Sequence, residues 1–364
     1  MGNPLKATAL PVETSRPDPV LDPADLAFQQ AILPGVSRTF ALTIPELPRG
    51  LREAVTNSYL LCRIADTIED DPALDLGQKR RFHQRFAQAV AGEGDPEDLA
   101  AELGPLLSGS TIPAERELVR HAGRIVRITL AFGEREHRAI ARCVRIMCEE
   151  MPRFQDPGGS RGLKDVTELH DYCYGVAGVV GEMLTELFCA HSPAIDRNRP
   201  GLEQRTVSFG QGLQMTNILK DVWDDLERGF CWLPRDLFLE HGFDLRDLAP
   251  GRYNSAFGDG LEAMIALAHG HLVDALEYTL LIPPAEKEIR HFCLWALGMA
   301  VLTLRKIDKH RNYRSSREVK ITRRSVRATI FASNLSTGSD RMLRFLFSLC
   351  ASSLPAPRFF PARS

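Results

Sequence analysis

Two short acidic clusters constrain this chain more than any other feature. One runs Asp66-Thr67-Ile68-Glu69-Asp70-Asp71 and begins three residues after Arg63; the other, Asp221-Val222-Trp223-Asp224-Asp225, follows Lys220 directly. Residues three and four apart share one face of an α-helix, so Asp66, Glu69 and Asp70 project together, and so do Asp221, Asp224 and Asp225. Like charges at that spacing repel, and an uncompensated stack costs helix stability. A solvated acidic face is the bland reading of either cluster alone. The setting argues against it: Leu60, Leu61, Ile64, Ala65 and Ile68 surround the first cluster, and Met215, Ile218, Leu219, Val222 and Trp223 the second. Carboxylates on apolar helices are costly unless paired or metal-bound. Mg²⁺ is the usual compensation, held by one or two carboxylates together with substrate phosphates and waters. Two such stacks, about 150 residues apart, suggest two walls of one pocket that grips a diphosphate through metal.

The rest of the composition narrows the class. With 44% apolar residues the 364-residue chain can bury a large core, and a net charge of −2 gives no general attraction to nucleic acid. Eight cysteines show no CxxC spacing, and no secretory signal opens the chain, so they read as free, mostly buried thiols of a cytoplasmic protein. His269-Gly-His271 lacks partners at metal-ligand spacing and reads as ordinary helix or turn. Residues 1–25, rich in Pro and polar side chains, are expected to form a mobile arm, 26–350 the folded domain and 351–364 a C-terminal tail. No stretch reaches the roughly 20 uninterrupted apolar residues of a membrane span. Arg341 to Leu349 suits either a bilayer surface or a last core helix, so the expected location is the cytoplasm with peripheral contact at the inner face of the membrane.

Helical periodicity dominates and strand alternation is scarce. The pattern predicts helices over 24–33, 36–44, 49–70, 77–91, 114–129, 133–152, 165–190, 199–228, 259–279, 285–308 and 340–350. Breakers fall between them, among them Pro45, Pro48, Asp71-Pro72, Asp156-Pro-Gly-Gly159, Pro250-Gly251 and Pro283-Pro284. With no long linker and no repeat, the expectation is one all-α domain around a central cavity. Gly175-Val-Ala-Gly178-Val-Val-Gly181 lacks the GxGxxG spacing and a preceding strand, so its small residues are read as a close helix-packing surface.

With these motifs assembled, the chain resembles the squalene/phytoene synthases, the head-to-head prenyl transferases, over about Ser37 to Lys320. Ser37-Arg-Thr-Phe40 is similar to the family's SRxF element, and Arg63-Ile-Ala-Asp66-Thr-Ile-Glu69-Asp70 to its first aspartate-rich motif. Tyr172-Cys-Tyr-Gly-Val-Ala-Gly178-Val-Val-Gly181 resembles the YCxxVAGxVG signature, and Asn217-Ile-Leu-Lys-Asp221-Val-Trp-Asp-Asp225 the second aspartate-rich motif. Phe292-Cys293 with Met299-Ala300 and Thr303-Leu304, and Val319-Lys320-Ile321, lean toward the squalene-forming branch. Three positions depart from it: Lys220 in place of arginine, Leu297 in place of glutamine, Thr322 in place of a basic residue. The long membrane tail of the animal and fungal enzymes is missing, which gives the expectation of a bacterial type.

The resemblance implies an isoprenoid synthase fold and two farnesyl diphosphates as substrates, with Mg²⁺ and NADPH as cofactors. It places Asp66, Glu69, Asp70, Asp221 and Asp225 on metal, with Asp71 and Asp224 in support. Ser37, Arg38, Phe40, Arg63, Lys220, Arg228 and Phe292 are the substrate-contact candidates. Tyr172 is placed beside the reacting carbons, joining Arg63, Asp66, Asp70, Asp221 and Asp225 as catalytic residues. Asn217, Lys320 and Arg323 carry over to the nucleotide, within a run from Arg305 to Arg327 that holds ten Lys and Arg. The alternatives are a non-reductive relative (presqualene diphosphate, hydroxysqualene, dehydrosqualene or phytoene synthase) and a non-catalytic helical lipid-binding homologue.

Overall fold

A computed structural model describes residues 21–37, 39–155, 162–249 and 253–359; Arg38, one of the substrate candidates, lies outside them. The described residues form helices and connecting turns, with a single isolated bridge between Leu163 and Pro234 and no strand. The first half comprises α1 (Pro23–Val36), α2 (Phe40–Thr43), α3 (Arg49–Asp70), α4 (Leu76–Ala91), α5 (Pro96–Leu103), α6 (Pro113–Arg120), α7 (Ala122–Ala131) and α8 (Glu134–Glu150). The second comprises α9 (Val166–Cys173), α10 (Val179–His191), α11 (Pro193–Asp196), α12 (Arg199–Glu227), α13 (Arg235–Glu240), α14 (Ser255–Leu281) and α15 (Lys287–Lys309). Three shorter segments close the chain: α16 (Ser316–Val319), α17 (Arg323–Ser336) and α18 (Asp340–Ala351).

Local chemistry explains the boundaries. Asp75 and Gln78 form a reciprocal capping box that starts α4, and Asp95 caps α5 ahead of Pro96, a helix the periodicity missed. The predicted helix 114–129 breaks at His121 into α6 and α7. The predicted helix 165–190 is not uniformly α-helical: residues Tyr174–Gly178 make a π-type turn between α9 and α10. Its glycines allow the close approach of α12. A Cβ on Gly181 would stand 2.5 Å from the Thr206 carbonyl oxygen, and one on Gly210 would run into the Ala177 carbonyl.

Two large apolar cores sit behind the motif helices. One fills the space among α1, α3, α4, α7, α8 and α10 with Ile64, Phe82, Phe86 and Val144; the other packs Met215, Leu219, Phe238 and Leu261 among α12, α13, α14 and α15. Such apolar burial is the main stabilising term, at ~25 cal/mol per Å². By length and composition Val166–His191 could cross a membrane, but half of its apolar window is buried inside this fold, as in a core helix.

The two histidines of the His269-Gly-His271 element lie on α14 and are anything but idle. His271 Nε2 is 2.9 Å from His170 Nε2 of α9, and Ser208 of α12 bridges His271 Nδ1 (2.6 Å) to Asp274 (2.8 Å). His269 Nδ1 donates to Pro355 O at 2.8 Å, and Arg358 N to Ala266 O at 2.9 Å, so the residues after α18 run back along α14. All eight cysteines are free, six of them buried.

Candidate active site

The first acidic cluster ends α3, where a helix's C-terminal carbonyls already carry partial negative charge. The fold answers with Lys79 of α4, whose Nζ donates to the Glu69 carbonyl and to Gln155 Oε1 (2.9 Å), while Gln155 Nε2 donates to the same carbonyl at 2.8 Å. The side chains are left for something else. Glu69 is only 7% exposed, and its Oε1 has no hydrogen-bond partner among the described residues. Burial, reinforced by the charges of Asp70 and Asp66, pushes the Glu69 carboxyl up to about 8. Asp66 opens toward the site with 32% of its side-chain surface accessible, yet burial still raises it to about 6 against the opposing pull of Arg63. Arg63 is fixed by the Tyr59 hydroxyl at 3.1 Å and stands 3.7 Å from both Asp66 and Glu115.

The second cluster ends α12 and carries its own cations. Lys220 Nζ lies 3.1 Å from Asp221 and donates to Asn217 Oδ1 at 3.2 Å. Burial raises both aspartates that face inward: Asp221 moves up despite Lys220, and Asp225 reaches about 6 despite Arg228. Arg228 then joins the walls. Its guanidinium donates to Asp225 at 2.6 Å and to Asp70 of α3 at 3.2 Å. Residues 158 positions apart in sequence are thereby held in one site.

Tyr172 stands between them. Its ring stacks on Trp232 (centroids 4.1 Å apart, planes within 5°) and meets Phe154 edge-on at 5.3 Å. Phe230 stacks on the far face of the ladder at 5.5 Å from Trp232. Burial, then the charges of Glu69, Cys173, Asp225 and Asp70, hold the phenol well above its ordinary value. The aromatic ladder and the bracing by Lys79, Gln155 and Glu115 were not read from the sequence; each depends on a contact between distant segments.

Other predicted residues fall less centrally. Asp71 is no metal-supporting group: its carboxylate accepts from Ala73 N, Ser108 N (2.9 Å) and Thr111 Oγ1 (2.6 Å), and so ties down the loop before α6. Asp224 is exposed and accepts from Ser316 Oγ at 2.5 Å, which docks α16 on the rim of the second wall. Ser37 Oγ accepts from Phe40 N at 3.0 Å, opening α2, and Phe40 packs on Tyr59 with centroids 4.8 Å apart. Phe292 is buried edge-on to Phe188 in the core. No hydrogen bond or ion pair joins Asn217, Lys320 and Arg323 among the described residues, although α16 brings the chain just before Lys320 against α12. A surface groove of about 1000 Å³ between α4 and α8 contains none of the predicted site residues, and most of its arginines pair with neighbouring glutamates.

By donor chemistry the carboxylates suit hard divalent cations, although no three of them converge into a complete metal site among the described residues. Two facing sets of carboxylates, their charged forms disfavoured by burial, with one buried oxygen lacking a partner, are a ligand set in want of positive charge. Lys220, Arg228 and Arg63 at the edges suit diphosphate oxygens. Lys320 and Arg323, exposed and without ion pairs among the described residues, suit by charge a phosphorylated nucleotide.

Comparison with known proteins agrees. The family profile of squalene/phytoene synthases matches residues 33–325. The squalene synthase of Schizosaccharomyces pombe is 28% identical over 318 residues, 86% of this chain, and the chain spans only about two thirds (66%) of that relative's length. The ligand complex of TcSQS superposes with a TM-score of 0.73 at 25% identity, covering 91% of this chain and 92% of that one. A dehydrosqualene synthase bound to a ligand shares the fold at TM-score 0.64 and 18% identity, covering 89% of this chain and 97% of its own.

Proposed function

The chain belongs to the squalene/phytoene synthase family, and we propose that within it the protein joins two farnesyl diphosphates head to head into presqualene diphosphate and reduces that product to squalene with NADPH. The observation that carries the reading is Arg228 bonded to both Asp70 and Asp225, which sets the two acidic walls face to face. The similarity to a squalene synthase over most of the chain supports the choice of branch.

In the first half-reaction a C–O bond of one diphosphate breaks, the double bond of the second substrate captures the allylic cation, and a proton is lost as the cyclopropane closes. Asp66, Glu69, Asp70, Asp221 and Asp225 would hold Mg²⁺, which would draw off the charge that builds on the departing diphosphate. Arg228 and Lys220 already point N–H groups into the same space and can transfer them from carboxylate to phosphate oxygens. Arg63, braced by Tyr59 and Glu115, adds a fixed cation that costs little reorganisation. The Tyr172 phenol stays protonated, so Oη acts as a relay: it accepts the cyclopropane proton while passing its own to an oxygen of the released diphosphate. Trp232 and Phe154 pack against the Tyr172 ring, fix its orientation and keep water from its edge. Asn217, Lys320 and Arg323 would hold the nicotinamide nucleotide, the source of hydride.

The non-reductive reading is favoured by two observations: no hydrogen bond or ion pair joins those three residues among the described residues, and Lys220, Leu297 and Thr322 depart from the squalene-forming pattern. Product analysis decides. Incubated with farnesyl diphosphate and Mg²⁺, the protein should release squalene only when NADPH is added, by mass spectrometry of the hexane extract. Presqualene diphosphate, a triterpene alcohol or dehydrosqualene formed regardless of NADPH would remove the reductive step.

A further inference from the structure

The last two helices carry features that the reaction leaves unused. On α17, Phe331 and Leu335 are 67% and 73% exposed; on α18, Met342, Phe345 and Leu349 are 47%, 61% and 57% exposed. Within each helix these positions are three or four apart, so each set forms one row. The opposite faces are spent on the fold: Ser333, Ser336 and Leu343 are buried, and both helices pack on α15. The three-residue corner between them is locked. Buried Arg290 donates to Thr337 O at 2.7 Å and pairs with Asp340 at 2.9 Å, and Trp295 Nε1 donates to Asn334 Oδ1 at 3.1 Å. The rows are therefore held out by rigid packing. Among the described residues, large exposed apolar side chains elsewhere are scattered, whereas five of them fall on these two helices.

Their surroundings identify the partner. Arg324 and Arg327 on α17 and Arg341 on α18 are exposed and have no ion pair among the described residues. The only acidic residue on either helix, Asp340, is already paired with Arg290. A second copy of this chain would bring arginine against arginine, which opposes self-association. Apolar rows flanked by uncompensated arginines suit a surface that is apolar a few ångströms down and anionic above. We propose that α17 and α18 form a docking face for an anionic bilayer, with Phe331, Leu335, Phe345 and Leu349 entering the headgroup–acyl boundary and the arginines meeting lipid phosphates. This surface is independent of which product the enzyme makes.

Flotation of the full chain with extruded vesicles tests it. The protein should float with phosphatidylglycerol-containing vesicles and hardly at all with pure phosphatidylcholine, and raising salt to about 0.5 M should cut binding at least ~10-fold. Phe331→Glu with Phe345→Glu should abolish flotation while thermal unfolding and turnover in vesicle-free solution stay as in the parent. Arg327→Glu with Arg341→Glu should weaken binding to the anionic vesicles. The proposal is overturned by absence of flotation with anionic vesicles, by flotation that survives the double phenylalanine variant, or by a concentration-dependent dimer in light scattering that this variant dissolves.

Discussion

The two acidic walls share a spacing and differ in construction. On α3, no cation contacts Glu69 or Asp70 from their own helix, Glu69 is buried with an unpartnered oxygen, and support comes from behind through Lys79 and Gln155 on a backbone carbonyl. On α12, each inward aspartate has a cation beside it, Lys220 at Asp221 and Arg228 at Asp225. The difference therefore lies in Glu69: Asp66 has Arg63 and Asp70 has Arg228, but Glu69 is buried without an ion pair among the described residues, whereas both inward aspartates of the second wall are paired. Motif spacing determines which carboxylates face one another; burial and neighbours determine how far each depends on metal.

The largest effect should come from removing one charge on either wall. Asp66→Asn and Asp221→Asn should each lower turnover of farnesyl diphosphate by ~1000-fold or more, the several kcal/mol of a metal's electrostatic contribution, with the helical circular-dichroism spectrum unchanged. The comparison adds a difference between them. Asp66→Asn removes a charge that burial disfavours, and should raise the melting temperature of metal-free protein more than Asp221→Asn does. Near-normal turnover in either variant would end the metal assignment; equal melting shifts would end the distinction between walls.

Tyr172 senses both walls, because Glu69 and Asp70 of one and Asp225 of the other push its phenol upward. Tyr172→Phe keeps the stack on Trp232 and removes only Oη. A loss of ~100-fold in kcat with little change in KM is expected for a proton relay, at the low end of general acid–base effects. A change confined to KM would leave the ring as packing alone.

A smaller, more diagnostic effect concerns pH. The folded-state values of Asp66 and Asp225 are raised to about 6 and that of Glu69 to about 8. Raised carboxyls favour the folded state fully below their unfolded values, near 4, and that contribution is lost as pH climbs through 6 to 8. Metal-free protein should therefore lose stability across this range, and Mg²⁺, which binds the ionised forms, should restore more at pH 8 than at pH 5.5. Melting curves with and without Mg²⁺ measure the gap, expected to be a few °C wider at the higher pH. Glu69→Gln should flatten the upper part of the decline. A Mg²⁺ shift independent of pH would mean these carboxyls are not the ligands.

Much of this site was legible because helical spacing is a local property. Arg49–Asp70 and Arg199–Glu227 match the predicted 49–70 and 199–228 closely, and the acidic residues follow from period alone. What escaped notice is long-range. Lys79 and Gln155 meet Glu69 across 10 and 86 positions, and no local pattern announces such a pairing. Trp232 carries no local signal, since a lone tryptophan three residues after Gly229 has no periodicity; only the turn that follows Arg228 lays it on Tyr172. The helix α17 was missed since its arginines and small polar residues leave few apolar positions for a 3.6-residue stripe, and the fold buries mainly serines there. Asp71 shows the opposite error, where membership of an acidic run suggested chemistry and the carboxylate turned out to hold a loop.

Arg228 offers the finest probe of how the walls are joined. Its pair with Asp70 is half-exposed, and such pairs contribute ~1 kcal/mol or less to stability, so Arg228→Lys should shift the melting temperature by no more than a few °C. The function is more demanding. A guanidinium can donate to Asp225 and Asp70 at once because its N–H groups diverge from a rigid plane, whereas an ammonium is a single point charge that cannot span both. If Arg228 serves to preset the spacing of the walls and then to grip diphosphate, the lysine variant keeps the charge and loses the fork. kcat/KM for farnesyl diphosphate should then fall ~10-fold, mostly through KM, and more Mg²⁺ should be needed for half-maximal activity. Unchanged kinetics alongside a large loss of stability would make Arg228 a helix-end brace, and the two walls would have to be aligned by the packing of α12 alone.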